Sequence, residues 1–231
     1  MAGPDYIDPN CVDAPFRYRQ DVALADLRVG FHTDNGIKRP DPDIRSTVEH
    51  ACDLLRDGGF TPSEAKPSGI EMADFIMSRV FSADGGELIE SLLEDSRTST
   101  PSPRVAASLA HSGPTISQRE FAQTITLWDN YRSSMLAYFK DFDILICPVN
   151  AHTAIPHGDE EDMAAYSYTT AYNLTGWPGV VIRAGTSDDG LPIGLQILAR
   201  PFREDECLAV AGWLSDRIGE FAAPQVTAVN R

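Results

Sequence analysis

Apolar and polar positions follow two alternating patterns along the chain, and their order predicts the fold class. Short apolar runs at residues 27–32, 143–148, 179–185 and 191–199 predict strands. The second run is apolar at nearly every position and too short for a helix, so it is predicted to be a fully buried central strand. Residues 186–190 contain Asp-Gly and predict a tight turn between the last two strands.

Helical spacing fills the segments between these runs. Asp41 and Pro42 supply an N-cap and a first helical residue, and Gly58-Gly59 end that helix. Residues 67–94 are predicted to be helical, with an interruption near Gly85-Gly86. Ser117 and Glu120 match a capping box and open a long helix. One face of this helix is predicted to carry Phe121, Ile125, Trp128, Tyr131, Met135 and Tyr138.

Two more helices are predicted, over residues 160–173 and 203–218, the latter with Leu208, Ala211, Leu214 and Ile218 on its apolar side. Residues 97–113, rich in Ser, Thr and Pro, are interpreted as a surface loop. The chain therefore predicts an α/β fold with a mixed β-sheet flanked by helices on both faces. Residues 1–26 form an irregular lead-in and residues 27–231 form the α/β core.

Composition narrows the classes of partner. The 231 residues carry a net charge of -15, which argues against nucleic acid and against an anionic membrane surface. No apolar run approaches the ~18–20 residues of a membrane span. The four cysteines are far apart and form no Cys-x-x-Cys pair, which favours reduced thiols and a cytoplasmic location.

Side chains that could act as nucleophiles are poorly placed. Ser133-Ser134 is a serine pair inside the predicted long helix, with no glycine nearby to build an oxyanion loop. Cys147 could pair with His152 or His157, but it also fits the last apolar residue of a buried strand, and the second interpretation is favoured. No catalytic residue is assigned.

The histidine-rich loop has two interpretations. His152 and His157, followed by Asp159, Glu160 and Glu161, could hold a divalent metal. An acidic helix start explains the same carboxylates without a ligand and is favoured. Neither a metal nor another cofactor is expected.

The junction at residues 173–178, Asn-Leu-Thr-Gly-Trp-Pro, joins a helix to a buried strand. Polar side chains at strand ends line the pockets of open α/β folds, so Asn173, Thr175 and Trp177 are candidate substrate-binding residues. A tight structural turn, with Asn173 capping the helix, explains the same residues and stays open.

Several blocks resemble the amidase signature family in the same order. The blocks are Ala2-Gly-Pro-Asp5 with Asp8-Pro9, Leu27-Arg-Val-Gly30, Phe142-Asp-Ile-Leu-Ile-Cys-Pro148, Asn173-x-x-Gly176-x-Pro178 and Gly190-Leu-Pro-Ile-Gly-Leu-Gln196. The resemblance implies the C-terminal part, residues 1–231, of a single amidase signature domain. It also implies that the family's Ser–Ser–Lys triad and glycine-rich loop lie in a segment that precedes this chain, and that residues 173–177 wall the acyl pocket.

Two functions follow from the resemblance. The chain is either the C-terminal part of an amidase that hydrolyses linear carboxylic amides, completed by an N-terminal segment, or a non-catalytic remnant or binding module that keeps the fold. The expected partners are a small-molecule amide and either a complementing chain or a second copy. Because Met1 falls within a mid-domain block, a split gene or a truncated reading frame is expected. An in-frame Gly-Gly-Ser-Ser-Gly-Gly in the DNA just upstream of Met1 would decide for the amidase over the stand-alone module.

Overall fold

The computed structural model of the chain describes residues 6–8, 11, 13, 19–159 and 162–219. Within them the chain packs as two compact units. The larger comprises the described residues within 6–66, 138–169 and 176–219, and the smaller comprises Pro67–Ala137 and Thr170–Thr175.

The larger unit contains a five-stranded mixed sheet in the order β2-β1-β3-β5-β4. The strands are β1 (Val29–Phe31), β2 (Ser63–Glu64), β3 (Ile144–Pro148), β4 (Gly179–Thr186) and β5 (Pro192–Ala199). β1 runs parallel to β2 and β3, whereas β5 is antiparallel to β3 and β4. The mixed sheet is confirmed, and so is β3 as its central strand with all five residues buried.

Seven α-helices and several short 3-10 helices are found in the described residues. The α-helices are α1 (Pro42–Asp57), α2 (Ala73–Phe81), α3 (Glu87–Asp95), α4 (Pro103–His111), α5 (Gln118–Leu136), α6 (Ser167–Asn173) and α7 (Glu204–Ile218). The 3-10 helices are Arg19–Asp21, Leu24–Asp26, Ile70–Met72, Ala137–Lys140 and Met163–Tyr166. α1 and α7 belong to the larger unit and α2 to α5 to the smaller one, while α6 runs from the larger into the smaller.

Helices cover both faces of the sheet in the larger unit, as predicted. Side chains alternate along each strand, so one set faces α1 and α7. The core cluster on that face includes Val29, Phe31, Val48, Cys52, Leu55, Ile144, Ile146, Leu195, Ile197, Val210 and Leu214. On the other face Gly30 lies beneath the ring of Tyr138. The amide nitrogen of Gln196 donates to the carbonyl of Tyr168 in the first turn of α6.

A charged clamp fixes the start of β1 against the start of β3. The Asp143 carboxylate accepts hydrogen bonds from the backbone N–H and Nε of Arg28, both at 3.0 Å, and from its Nη2 at 3.1 Å. The backbone N–H of Asp143 donates in turn to the Arg28 carbonyl. The guanidinium holds the pKa of Asp143 below its usual range, so the clamp is ionised near neutral pH.

The smaller unit is built around α5. The Trp128 indole N–H donates to the Leu174 carbonyl at 2.7 Å, and the Tyr131 hydroxyl donates to the Ala171 carbonyl at 2.6 Å. The capping box of Ser117 and Glu120 is confirmed at the start of this helix. The start of α5 is therefore defined by local chemistry, and its buried side holds residues 170–175.

Several sequence predictions need correction. The predicted loop at 97–113 is wrong over α4, because Ser102 caps Val105 N–H and Pro103 starts the helix. On α7, Leu208 is exposed although Ala211 and Leu214 are buried. Phe121 is 44% exposed, so the apolar face of α5 is shorter than predicted.

Other predicted bounds differ slightly from the structure or fall outside it. Tyr138 lies in the 3-10 helix beyond α5. The short strand β2 carries no apolar signal and was not predicted. Residues 160–161 and half of residues 1–26 lie outside the described residues.

The contact of Gly30 with Tyr138 yields a prediction for stability. A Cβ at Gly30 would overlap the Tyr138 hydroxyl oxygen and lie 2.9 Å from its Cζ. Gly30→Ala should therefore destabilise the protein by about 1–3 kcal/mol through overpacking. Tyr138→Phe removes the hydroxyl, so the double variant should recover part of that loss in a denaturation cycle.

Gly179→Ala is the matched control, because its Cβ would approach a flexible Leu198 methyl at 3.0 Å as its nearest neighbour. It should cost less than Gly30→Ala. Equal losses at the two glycines, or strictly additive effects at Gly30 and Tyr138, would contradict the contact.

Candidate functional site

The parallel strands β1 and β3 have their carboxyl ends side by side, at one end of the sheet. β1 continues into residues 32–41 and β3 continues into residues 149–159, and both segments belong to the larger unit. Open α/β sheets form ligand pockets at this end. Polar side chains are concentrated here, so this end is the candidate functional site.

The segment after β1 is held by a buried polar network. Asn35 is 1% exposed, and its side-chain amide donates to the Ser167 hydroxyl at 2.8 Å. The Tyr168 hydroxyl accepts from the Asn35 backbone N–H at 3.1 Å and donates to the Lys38 carbonyl at 2.8 Å. These bonds join the segment to the first turn of α6, which gives the wall of the site a fixed geometry.

A cavity of about 470 Å³ opens at the end of β3, and we call it the β3-end cavity. Its walls combine amide, hydroxyl, imidazole and carboxylate groups with aliphatic and aromatic surface. They include Asn150, His152, Thr153, Ile155, Asp162 and Tyr166. In the described part of the chain, the hydroxyls of Tyr166 and Thr153 and the Nδ2 of Asn150 form no hydrogen bond, so they can receive a ligand.

Asp162 is an ionised carboxylate in the wall of this cavity. Its carboxylate pairs with Lys38 and also accepts from the backbone N–H of Ala164 at 3.0 Å. The hydrogen bond from Lys38 holds the pKa of Asp162 below its usual range. Because Lys38 offsets this charge, the cavity favours a ligand without a strong negative charge.

His32 lines a second opening, of about 450 Å³, together with Gly36 and Lys66. Burial, reinforced by Lys66, lowers the pKa of His32 to about 3, so its ring is neutral near pH 7. The ring lies against Tyr168 with a centroid separation of 6.1 Å. A neutral imidazole in this position contributes to packing and does not shuttle protons near neutral pH.

The three residues chosen from sequence have different environments. Asn173 is the exposed last residue of α6, and Thr175 is buried, donating to the Tyr172 carbonyl at 2.7 Å. Both are in the smaller unit. Trp177, in the larger unit, is 8% exposed and packs on Phe139 with ring centroids 4.5 Å apart. Their role in binding stays a prediction.

Two of the three candidate nucleophiles, Ser134 and Cys147, make structural contacts. Ser133 and Ser134 lie within α5, where the Ser134 hydroxyl donates to the Ser68 carbonyl at 3.0 Å. Cys147 is fully buried in β3 and receives a contact from the Gln196 amide at 3.4 Å. Its position agrees with the interpretation as a core strand residue.

The described ranges contain no group of three or more His, Cys, Asp or Glu side chains arranged to hold a metal ion. His157 and Asp159 are exposed, while Glu160 and Glu161 lie outside these ranges. Separately, none of the described helices is both long enough and apolar enough to cross a bilayer.

Sequence reasoning missed the residues of the β3-end cavity. Asn150, Thr153 and Tyr166 carry no motif, and the ion pair of Lys38 with Asp162 joins distant segments. The usable signal was positional: polar residues follow directly after a predicted buried strand, where parallel sheets place their sites.

Two curated relatives illustrate what the chain resembles. A glutamyl-tRNA(Gln) amidotransferase polypeptide of Thermus thermophilus is 27% identical over 246 residues, covering 90% of this chain and 49% of the relative. An acylamidase of Rhodococcus erythropolis is 22% identical, covering 91% of this chain and 47% of the relative. The chain thus spans about half the length of the curated relatives it matches.

Solved structures agree on the fold. A fatty acid amide hydrolase superposes with a TM-score of 0.76 at 18% identity, over 93% of this chain and 44% of that one. The family model described as amidase matches residues 1–208. The chain therefore belongs to the amidase family, the amidase signature enzymes.

Proposed function

We propose that this chain is the C-terminal part of an amidase that hydrolyses the carbon–nitrogen bond of linear carboxylic amides. In this proposal an N-terminal segment outside the chain supplies the Ser–Ser–Lys triad. The observation that carries it is the family match over residues 1–208 combined with coverage of about half of each relative.

The environment of the three lysines supports the proposal that the catalytic triad belongs to another segment. Lys38 pairs with Asp162, and the Lys66 ammonium donates to the Asn35 carbonyl at 2.9 Å. Lys140 is exposed. Within the residues described, none of them hydrogen-bonds to a serine, whereas a serine nucleophile needs an adjacent base.

The chain's own contribution is binding and orientation. Beside apolar surface from Ile155, the β3-end cavity offers the Tyr166 hydroxyl and the Asn150 Nδ2, which form no hydrogen bond within the described residues, and this combination suits a neutral amide substrate. Residues 173–177 are proposed to wall the acyl side, as the family resemblance implies. Attack on the carbonyl and stabilisation of the oxyanion fall to the segment that carries the serines.

Unpaired sheet edges support a complementing chain. Among the described strands, the outer strands β2 and β4 each have one neighbour. Val181 on β4 is 55% exposed, and Leu88 and Leu92 on α3 are 64% and 58% exposed. Such edges and apolar side chains are usually covered in a finished protein. A second copy of the chain is the other candidate for this role.

A second candidate function is a non-catalytic binding module or remnant. It is favoured by one observation: the β3-end cavity is formed entirely within the larger unit, so a pocket exists without an added segment. Ligand binding without turnover, in a chain that stays monomeric, would distinguish this function from the first.

The purified chain alone should hydrolyse aryl and alkyl amides no faster than buffer, because no serine in its described residues hydrogen-bonds to a lysine that could act as its base. The measurement is product release with and without the chain. Cys147→Ala is the control for the thiol alternative. If the wild-type chain turns over amides and Cys147→Ala abolishes that turnover, the amidase proposal is contradicted and the thiol alternative is supported. This result is not expected, because Cys147 is fully buried.

Activity should return when the proposed triad-bearing N-terminal segment is co-expressed with this chain. The two pieces should copurify, since obligate partners typically bury roughly 2,000 Å² or more in an interface of this kind. Affinity purification followed by an amidase assay measures both. A chain that remains soluble and monomeric beside its upstream segment would favour the binding module.

In the completed enzyme, Trp177→Ala should lower stability by about 3–5 kcal/mol, because the ring is buried against Phe139. As a wall of the acyl pocket it should also change the ratio of kcat/KM between a bulky and a small acyl amide. Thermal unfolding and the two assays measure these effects.

Phe139→Ala is the matched control, since it removes the packing partner of Trp177 and should lower Tm with little change in the substrate ratio. If Trp177→Ala behaves in the same way, Trp177 is core and the acyl-wall assignment is wrong.

A further inference from the structure

One histidine in the larger unit lies between two carboxylates from different elements. His152 Nδ1 is 3.0 Å from Oδ2 of Asp41, and His152 Nε2 is 3.6 Å from Oδ2 of Asp162. Asp41 is the N-cap residue of α1, and Asp162 caps the 3-10 helix Met163–Tyr166. The imidazole therefore bridges two helix starts that are remote in sequence.

Asp41 is freed for this contact by an unusual cap. Its side chain makes no capping hydrogen bond to α1, although Asp is among the preferred N-cap residues. Its carboxylate oxygen instead faces the His152 ring. Instead of capping its own helix, the Asp41 side chain contacts a residue 111 positions away in the sequence.

Backbone bonds at the neighbouring residue join the same elements. The Ala151 carbonyl accepts from the Asp41 backbone N–H at 2.9 Å, and the Ala151 N–H donates to the Ala165 carbonyl at 3.1 Å. The ring of His152 therefore lies beside two backbone hydrogen bonds of Ala151, which hold residues 149–159 in place. Both His152 and Asp162 also line the β3-end cavity.

The proton count on the ring decides how many contacts it can make. A neutral imidazole has one N–H donor, whereas the imidazolium has two. With two carboxylates facing the two ring nitrogens, only the imidazolium interacts favourably with both. The charged groups around the ring are Asp41 from α1, Asp162 from the 3-10 helix and Lys38 from the β1–α1 segment. The protonated ring makes this four-residue cluster electrically neutral.

We propose that His152 is a positioning residue that, as the imidazolium, latches residues 149–159 against the starts of α1 and of the 3-10 helix and so fixes the wall of the β3-end cavity. When the ring loses its proton, the Asp162 contact is released and the segment opens more often. The latch depends only on this chain's fold, and its consequence for a bound amide rests on the proposed function.

Hydrogen exchange tests the latch without any need for catalysis. In the full chain, the amide of Ala151 reports opening, because its bond to Ala165 must break before it exchanges. After correction for intrinsic chemistry, its opening constant should be about threefold larger at pH 8.5 than at pH 5.5. His152→Gln, whose amide does not titrate, should show no such rise.

His157→Gln is the matched control, since it removes an exposed histidine of the same segment and should keep the rise. Asp162→Asn gives a second route should His152→Gln fold poorly, and it should weaken the pH dependence. A wild-type opening constant that does not change with pH, or a rise that survives in both His152→Gln and Asp162→Asn, would overturn the proposal.

Discussion

The complete burial of β3 is the constraint on which the rest of the structure depends. All five of its residues are buried, and it has β1 on one side and β5 on the other. A strand enclosed in this way cannot slip by one residue without moving its side chains to the wrong face. The clamp of Arg28 and Asp143 fixes its start relative to β1. The segments that leave β1 and β3 therefore emerge side by side.

Polar side chains are concentrated where these segments leave the sheet, because the polar groups there no longer find hydrogen-bond partners in neighbouring strands. Asn35 ties the first segment to α6 through Tyr168, and Lys38 of the same segment pairs with Asp162, which follows the second segment. The two layers differ in exposure. The Asn35 network is buried, whereas the side chains of His152 and Asp162 are partly open to solvent.

The sequence predicted the parts of this structure that local rules control. The continuous apolar run of β3, the Asp-Gly turn between β4 and β5, and the capping box of α5 each have a short-range signal. α4 was missed because its Ser and Pro residues are typical of loops, although Ser102 and Pro103 also make a helix start. Leu208 fits a helical period but lies on the exposed side.

The candidate site could not be predicted residue by residue. Its contacts join positions that lie far apart, such as Asp41 with His152 and Asn35 with Tyr168, and no local pattern marks such pairs. Asn173, Thr175 and Trp177 were chosen from a junction and from the family resemblance. Because their surroundings differ from one another, their contacts give them no common role. The acyl-wall assignment is therefore tested by substrate selectivity.

The central claim is that this chain carries binding surface while the nucleophile belongs to another segment. The most direct measurement is labelling of the completed enzyme with a fluorophosphonate, which reacts with an activated serine, followed by mass spectrometry of both polypeptides. The account predicts the label on a serine of the complementing segment and none on this chain. A label on Ser133, Ser134 or another serine of this chain would contradict it.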